Sequence, residues 1–281
     1  MAVNNFIPTI WSETLYSELS NQCIAVKHCN RDFEGDIKGC GDRVKIAGIP
    51  SIELSDYKKG QSISDPQTLD DDFQTLEINR AKCFNFQIDD IDRAQSIPGL
   101  MNQAMRVAAN ALANEADAYV FECAAAAGFR VFNEEPTVDN VLDSFIEARK
   151  MLYKNNVTDS QDIVFEVSPD VAELLIKAKI NLSTDNSAAL ENGCIGSIAG
   201  CKVYVTNNVY QEYDDESMIH RCVARTKRAI AFAEQISELE AYRPEKRFAD
   251  AVKGLHLYGA KIIYPKEIVL VSFRMPHIPE E

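Results

Sequence analysis

Apolar residues alternate through Val44, Ile46, Ile52 and Leu54, then resume on the same parity at Leu76, Ile78, Phe84, Phe86 and Ile88. That is the period of strands. The stretch between them, Ser55 to Asp72, holds Gly60, Pro66 and several aspartates, too polar to bury and long enough to project. An extended hairpin with an irregular polar tip is the expectation. Ser96-Ile97-Pro98 then reads as a helix start, and the alanine-rich run from Gly99 to Ala127 contains no internal Pro or Gly and is closed by Gly128. The run predicts a helix over 98–128, a rod of about 45 Å. Leu100, Ala104, Val107, Ala111, Leu112, Ala118 and Tyr119 form its predicted apolar stripe, and its alanines predict that another backbone packs close against it.

Further along, Val138, Val141, Leu142, Phe145 and Leu152 share a helical face, and Ile163 to Val167 reads as a buried strand. Ser168-Pro169-Asp170 predicts the next helix, with Ser168 as N-cap and Pro169 in the first turn, running to about Lys179. Asn181 to Gly200 reads as turns, Val203 to Val205 as strand, and the chain from Ile219 onward mainly as strands. Residues 1–40 combine a short amphipathic stretch, Trp11 to Ile24, with a glycine-rich end and read as an arm. The fold class is α+β without internal repeats.

At 281 residues, 46% apolar and 26% charged, the chain is long enough to bury a sizeable core without disulfides or metals. A formal charge of −14 argues against a protein whose main affinity is for phosphate backbones or anionic lipid. No stretch approaches a membrane span, and the first residues lack the features of a signal peptide. The eight cysteines are then expected to be reduced thiols.

Candidate chemistry is sparse. Gly39-Cys40-Gly41 lacks the third glycine and the helix of a dinucleotide fingerprint, and Gly193, Gly196 and Gly200 around Ser197 make neither a phosphate loop nor a nucleophile elbow. Cys23, His28, Cys29 and Cys40 lack zinc-ligand spacing, so no metal site is assigned. Cys194 and Cys201 approach across a turn, but a reducing compartment disfavours a bridge. Acidic pairs are too frequent to identify a general acid or base, and no catalytic or cofactor-binding residue is assigned. Arg221, Arg225, Lys227 and Arg228 form a local reversal of sign, read as a salt-bridged face between subunits. The informative features are an arm, a projecting hairpin and a long helix, which together suggest an assembly, because a lone hairpin is marginal in water.

The order of these elements resembles the major capsid (coat) proteins of tailed bacteriophages, the Caudoviricetes, which share the Hong Kong 97-type fold. The strings that carry it are Met1 to Pro8 followed by Trp11, Arg43-Val44-Lys45-Ile46 entering the hairpin, the helix from Pro98, and Ile163 to Pro169. Gly196 to Val203, Phe248 to Gly254 and Tyr258-Gly259-Ala260-Lys261 complete it. The resemblance implies an N-terminal arm over 1–40, an extended loop over 41–95, a peripheral domain from 96–135 and 241–281 with its spine helix over 98–128, and an axial domain over 136–240. It also implies self-assembly into hexamers and pentamers of an icosahedral head enclosing double-stranded DNA without sequence-specific binding. Trp11, Tyr57, Lys58, Lys59, Arg221, Arg225, Lys227 and Arg228 become the candidate contacts between subunits.

The implied partners are further copies of the chain, a separate scaffolding protein, a portal and a decoration protein, with no membrane and no cofactor. The implied location is the virion, after the bacterial host cytoplasm. Two other readings stand beside it: an encapsulin-like compartment shell that holds protein cargo, and a thiol-dependent enzyme using Cys123 or Cys201 with a histidine.

Overall fold

A computed structural model describes residues 15, 17–19, 21–32, 43–48, 72–89, 100–159, 162–178, 193–214, 217–246 and 248–276. Strands β1 (Arg43–Gly48) and β2 (Asp72–Glu77) pair antiparallel with Val44 opposite Leu76 and Ile46 opposite Gln74. Val44, Ile46, Leu76 and Ile78 point inward against Ala231, Ala233, Leu257 and Ile263. The alternation therefore gives both the hairpin and its buried face, as period-two burial requires. Its tip, including Ile52, Leu54 and residues 55–71, lies outside the described residues.

Beyond Asn79, β3 (Arg80–Asp89) joins a second, three-stranded antiparallel sheet in the order β10 (Ile230–Tyr242), β11 (Ala249–Ile262), β3. Helix α1 (Leu100–Ala124) packs on this sheet. Its 25 residues span about 37 Å. The helix lies where the sequence places it, but turned about its axis from the predicted stripe. Met105, Ala109, Leu112, Ala113, Ala116, Asp117, Val120 and Phe121 are buried, whereas Val107 is 68% exposed and Ala111 and Ala118 face outward. Alanine suits either face, and Asp117 argues against the face that is buried; the next subsection shows why it is there.

The third sheet has seven strands. Its main path runs β4 (Phe129–Asn133), β12 (Ile268–Pro276), β9 (Ser217–Thr226), β5 (Ile163–Val167), β7 (Cys201–Val205), β6 (Cys194–Ile198), with β8 (Gln211–Asp214) also paired to β9. Helix α2 (Val141–Lys154) packs on β4 and β12, and α3 (Pro169–Lys177) packs on α2. Val141, Phe145 and Leu152 are buried as predicted.

Several expectations change. Phe129–Asn133 and Cys194–Ile198 are strands, although the first carried no strand signal of its own and the second is interrupted by Gly196. The turn between β6 and β7 is Ala199-Gly200, both at positive φ (50° and 83°), the two-residue hairpin geometry whose twist suits paired strands. Ser168 precedes α3 in extended conformation without capping it through its side chain. Each sheet draws strands from distant parts of the chain: the closing strand β12 and β4 belong to the seven-stranded sheet, while β10, which starts at Ile230, belongs to the three-stranded one. Sequential order alone does not say which sheet a strand joins, and β12 is drawn into the larger one by pairing with β9 along nine residues.

Sheets and hairpin meet tightly at Gly259 of β11, where an added Cβ would lie 2.3 Å from the carbonyl oxygen of Glu77. Gly259→Ala is expected to force the hairpin base away and lower stability by about 1–3 kcal/mol. Thermal unfolding checks this, and an unchanged midpoint would contradict the close approach.

Candidate functional site

Three charged residues stand in otherwise apolar settings: Asp117 on the buried stripe of α1, Glu166 in the wholly buried strand β5, and Arg225 near the end of β9. Strands β5 and β9 are antiparallel neighbours with Glu166 opposite Val223, which brings the Glu166 and Arg225 side chains together. Neither side chain is exposed to solvent. The guanidinium holds the carboxylate with two parallel bonds, Nε to Oε2 and Nη2 to Oε1, both 2.8 Å. Its other donors reach the arm: Nη2 to the Ala25 carbonyl at 2.8 Å, Nη1 to the His28 carbonyl at 2.8 Å and to Cys29 Sγ at 3.3 Å. Every N–H of the fork is thereby engaged. His28 Nδ1 lies 3.0 Å from Glu166 Oε1, and its ring packs on Tyr204.

From the opposite side, the carboxylate of Asp117 accepts the backbone N–H groups of Ile24 (2.7 Å) and Val26 (3.0 Å). Small neighbours, Ala113 and Ala116, are buried beside it. This is the close backbone that the alanines predict. Just past the clasp, Asn30 bridges to Ala231 of β10 through Asn30 N to Ile230 O and Phe232 N to Asn30 O, and Arg31 pairs with Glu234, which also holds His256. Residues 24–31 are thus fastened to α1, to the seven-stranded sheet and to β10 within one turn of chain.

Electrostatics divides the two carboxyls. Burial pushes Asp117 up to about 6, against the pull of the Ile24 and Val26 amides. Burial also acts on Glu166, but Arg225 and His28 outweigh it and hold the group below the usual carboxylate range.

A second cluster resembles hydrolytic machinery without its requirements. His220 Nδ1 lies 2.9 Å from Ser168 Oγ, and Nε2 lies 3.5 Å from Asp170, beside a cleft of about 810 Å³ lined by Pro136, Tyr213, Met218 and Met275. Ser168 itself is fully buried, and the residue after it is Pro169, which has no N–H to stabilise an oxyanion. The thiols fare no better as nucleophiles. Burial raises Cys123 and Cys201, and pushes Cys222 up to about 12, the opposite of thiolate activation. Cys194 and Cys201 are free, and no group of metal-binding side chains occurs among the described residues.

The expected basic face is dispersed. Arg225, read as a contact between subunits, is instead entirely inside its own subunit, because its position on β9 faces β5 and the arm. Arg221 pairs with Glu212 and stacks on Tyr210; Lys227 and Arg228 occupy the exposed β9–β10 turn, with Arg228 bound to Glu267 at 2.8 Å. Trp11, Tyr57, Lys58 and Lys59 lie outside the described residues. The clasp itself was not read from the sequence. For Glu166 the signal was a charge inside the apolar run Ile163–Val167, whereas Asp117 and Arg225 stand near other charged residues in sequence, and only pairing in space singles them out.

No protein-family profile matches the chain, and no curated protein matches it significantly. Solved structures do. A chain from Mycobacterium phage Che8 is 29% identical, covers 89% of this chain and 91% of its own, and overlays with a TM-score of 0.69. The capsid of cyanophage P-SCSP1u is 14% identical, over 90% and 89%, with a TM-score of 0.66. A virus-like particle from Pyrococcus furiosus is 14% identical, over 92% and 96%, with a TM-score of 0.55. By its likeness to these structures the chain has the Hong Kong 97-type fold of phage capsids.

Breaking the clasp from one side leaves an unpaired buried charge, which costs about 3–5 kcal/mol. Arg225→Met is expected to lower the urea midpoint accordingly, and Arg225→Met with Glu166→Leu to recover part of it; equal loss in both would contradict a paired role. Asp117 binds its proton more tightly folded than unfolded, so it lowers stability as pH rises from about 4 to about 6. Asp117→Asn should remove that decline in unfolding measurements across the window. Glu166 acts at lower pH, where its contribution is lost as the carboxylate protonates.

Proposed function

We propose that the chain builds the wall of a phage head, assembling as hexamers and pentamers into an icosahedral shell around double-stranded DNA. The observation that carries this reading is an overlay spanning about nine-tenths of the chain with a phage capsid, at 0.66 for P-SCSP1u. The three-stranded sheet with α1 would form the peripheral part, and the seven-stranded sheet the axial part around each capsomer axis. The arm and hairpin would lie over neighbouring subunits, with Trp11, Tyr57, Lys58, Lys59, Arg221, Lys227 and Arg228 offered to them.

A charge of −14 suits a wall that must not adhere to densely packed DNA. Ring-closing contacts between unlike patches fit such capsomers, and many weak contacts sum over a closed shell. A scaffolding protein, a portal and a decoration protein complete the proposed partners, and the virion is the proposed location. A compartment for protein cargo is not favoured, since phage structures overlay at 0.69 and 0.66 over about nine-tenths of the chain.

Expression of the chain, followed by electron microscopy and light scattering, tests the reading. Closed shells, rings or tubes are expected, with a scaffolding partner added if the chain alone stays monomeric; a monomer under both conditions would refute it. Deleting Asp56 to Pro66 is expected to impair shell formation while leaving the thermal midpoint intact, and normal shells from the deletion would remove the assembly role from the loop.

A further inference from the structure

The seven-stranded sheet carries unlike surfaces at the two ends of its longest strand. β9 has ten residues, a length of about 33 Å. At its end lies the exposed β9–β10 turn, where Lys227 and Arg228 stand side by side. Lys227 has no ion pair among the described residues, and the Arg228 side chain, though bound to Glu267, is 69% exposed.

At its start lies the cleft of about 810 Å³ between β9, β12 and the first turns of α3. Leu174, Met218 and Met275 give this cleft an apolar wall, and Asp170 and Glu173 line it with side chains more than half exposed. Glu173 pairs with Lys177 at the surface, whereas Asp170 faces no cationic side chain other than His220 among the described residues. His220 is buried, with Nε2 3.5 Å from Asp170. Burial lowers the proton affinity of the ring against the pull of Asp170, so the imidazole stays neutral at pH 7 and leaves the charge of the acid in place. The cleft thus combines methionines, which adapt to the shape of what they hold, with negative charge that its own subunit does not cancel.

Resting on the shell reading, we propose that the Lys227–Arg228 turn of one copy docks into this cleft on the next copy. Charge selects the occupant. Copies carrying −14 repel one another, so a contact that holds them sets local positive charge against local negative charge, and the turn is a local reversal of sign. Lys and Arg carry a cationic head on a long apolar stem, which matches a methionine wall with an acidic rim. The two surfaces lie at opposite ends of one strand, so a subunit cannot fill its own cleft with its own turn. The contact therefore runs head to tail, the kind that closes into rings where the rotation allows.

Charge reversal in the full chain tests it, under conditions where the unaltered chain forms shells. Lys227→Glu with Arg228→Glu, and separately Asp170→Lys with Glu173→Lys, should each cut shell yield by about tenfold, because like charges then meet at every repeat of the contact. All four substitutions in one chain should restore most of the yield, since the attraction returns with its sign exchanged. Thermal midpoints of the subunits report whether each variant folds. If the fourfold variant assembles no better than either pair, or either pair assembles as well as the unaltered chain, the docking is wrong while the shell reading stands. Should a variant fail to fold, carbodiimide coupling in shells of the unaltered chain decides: a cross-link from Lys227 to Asp170 or Glu173 supports the docking, and its absence overturns it. If the unaltered chain forms no shells, alone or with a scaffolding partner, the shell reading fails and the docking falls with it.

Discussion

Taking a guanidinium and a carboxylate out of water is tolerable only when every donor and acceptor is met. Around Arg225 and Glu166 the sheet alone does not meet them: the Ala25 and His28 carbonyls and the His28 ring, all from the arm, complete the set. The seven-stranded sheet is therefore satisfied only with the arm in place. Asp117 applies the same condition from α1, because the Ile24 and Val26 amides are the donors it accepts. One short segment is thus required by both layers, and it holds α1 against the sheet through a core that includes Ala25, Val26, Ala116, Phe121 and Phe165.

This arrangement suits a shell subunit. Residues 24–31 are held to α1, to the seven-stranded sheet and to β10 of the same subunit. The hairpin is seated in the same way, with Leu76 and Ile78 packed on Ala231, Ala233 and Leu257 beside the Asn30 bridge. The exposed β9–β10 turn, with Lys227 and Arg228, stands outside this core.

The sequence showed those parts of the fold that have a period. Strands β1, β2 and β5 and helices α1 and α2 follow from alternation, helical spacing and start signals. The rotation of α1 was hidden because alanine carries little preference for either face and because the buried face includes a charged residue, Asp117. Membership of β12 in the larger sheet was hidden because a strand's partner is a long-range choice. The clasp was hidden for a similar reason: Glu166 in Ile163–Val167 looks like an anomaly until Arg225, 59 residues away, closes on it. Proximity in sequence misled in the reverse sense at Arg221 to Arg228, where one residue is a core anchor, one lies on a strand and two lie on a turn.

In the proposed shell each subunit keeps residues 24–31 of its own arm locked at the Arg225–Glu166 pair. A side-chain-resolution cryo-electron microscopy map of the assembled particle tests it most directly. The account predicts continuous density tying residues 24–30 of each copy to the Arg225–Glu166 pair and Asp117 of that same copy, in hexamers and pentamers alike. Density that threads those residues into a neighbouring copy, or an empty clasp in the assembled wall, would contradict it.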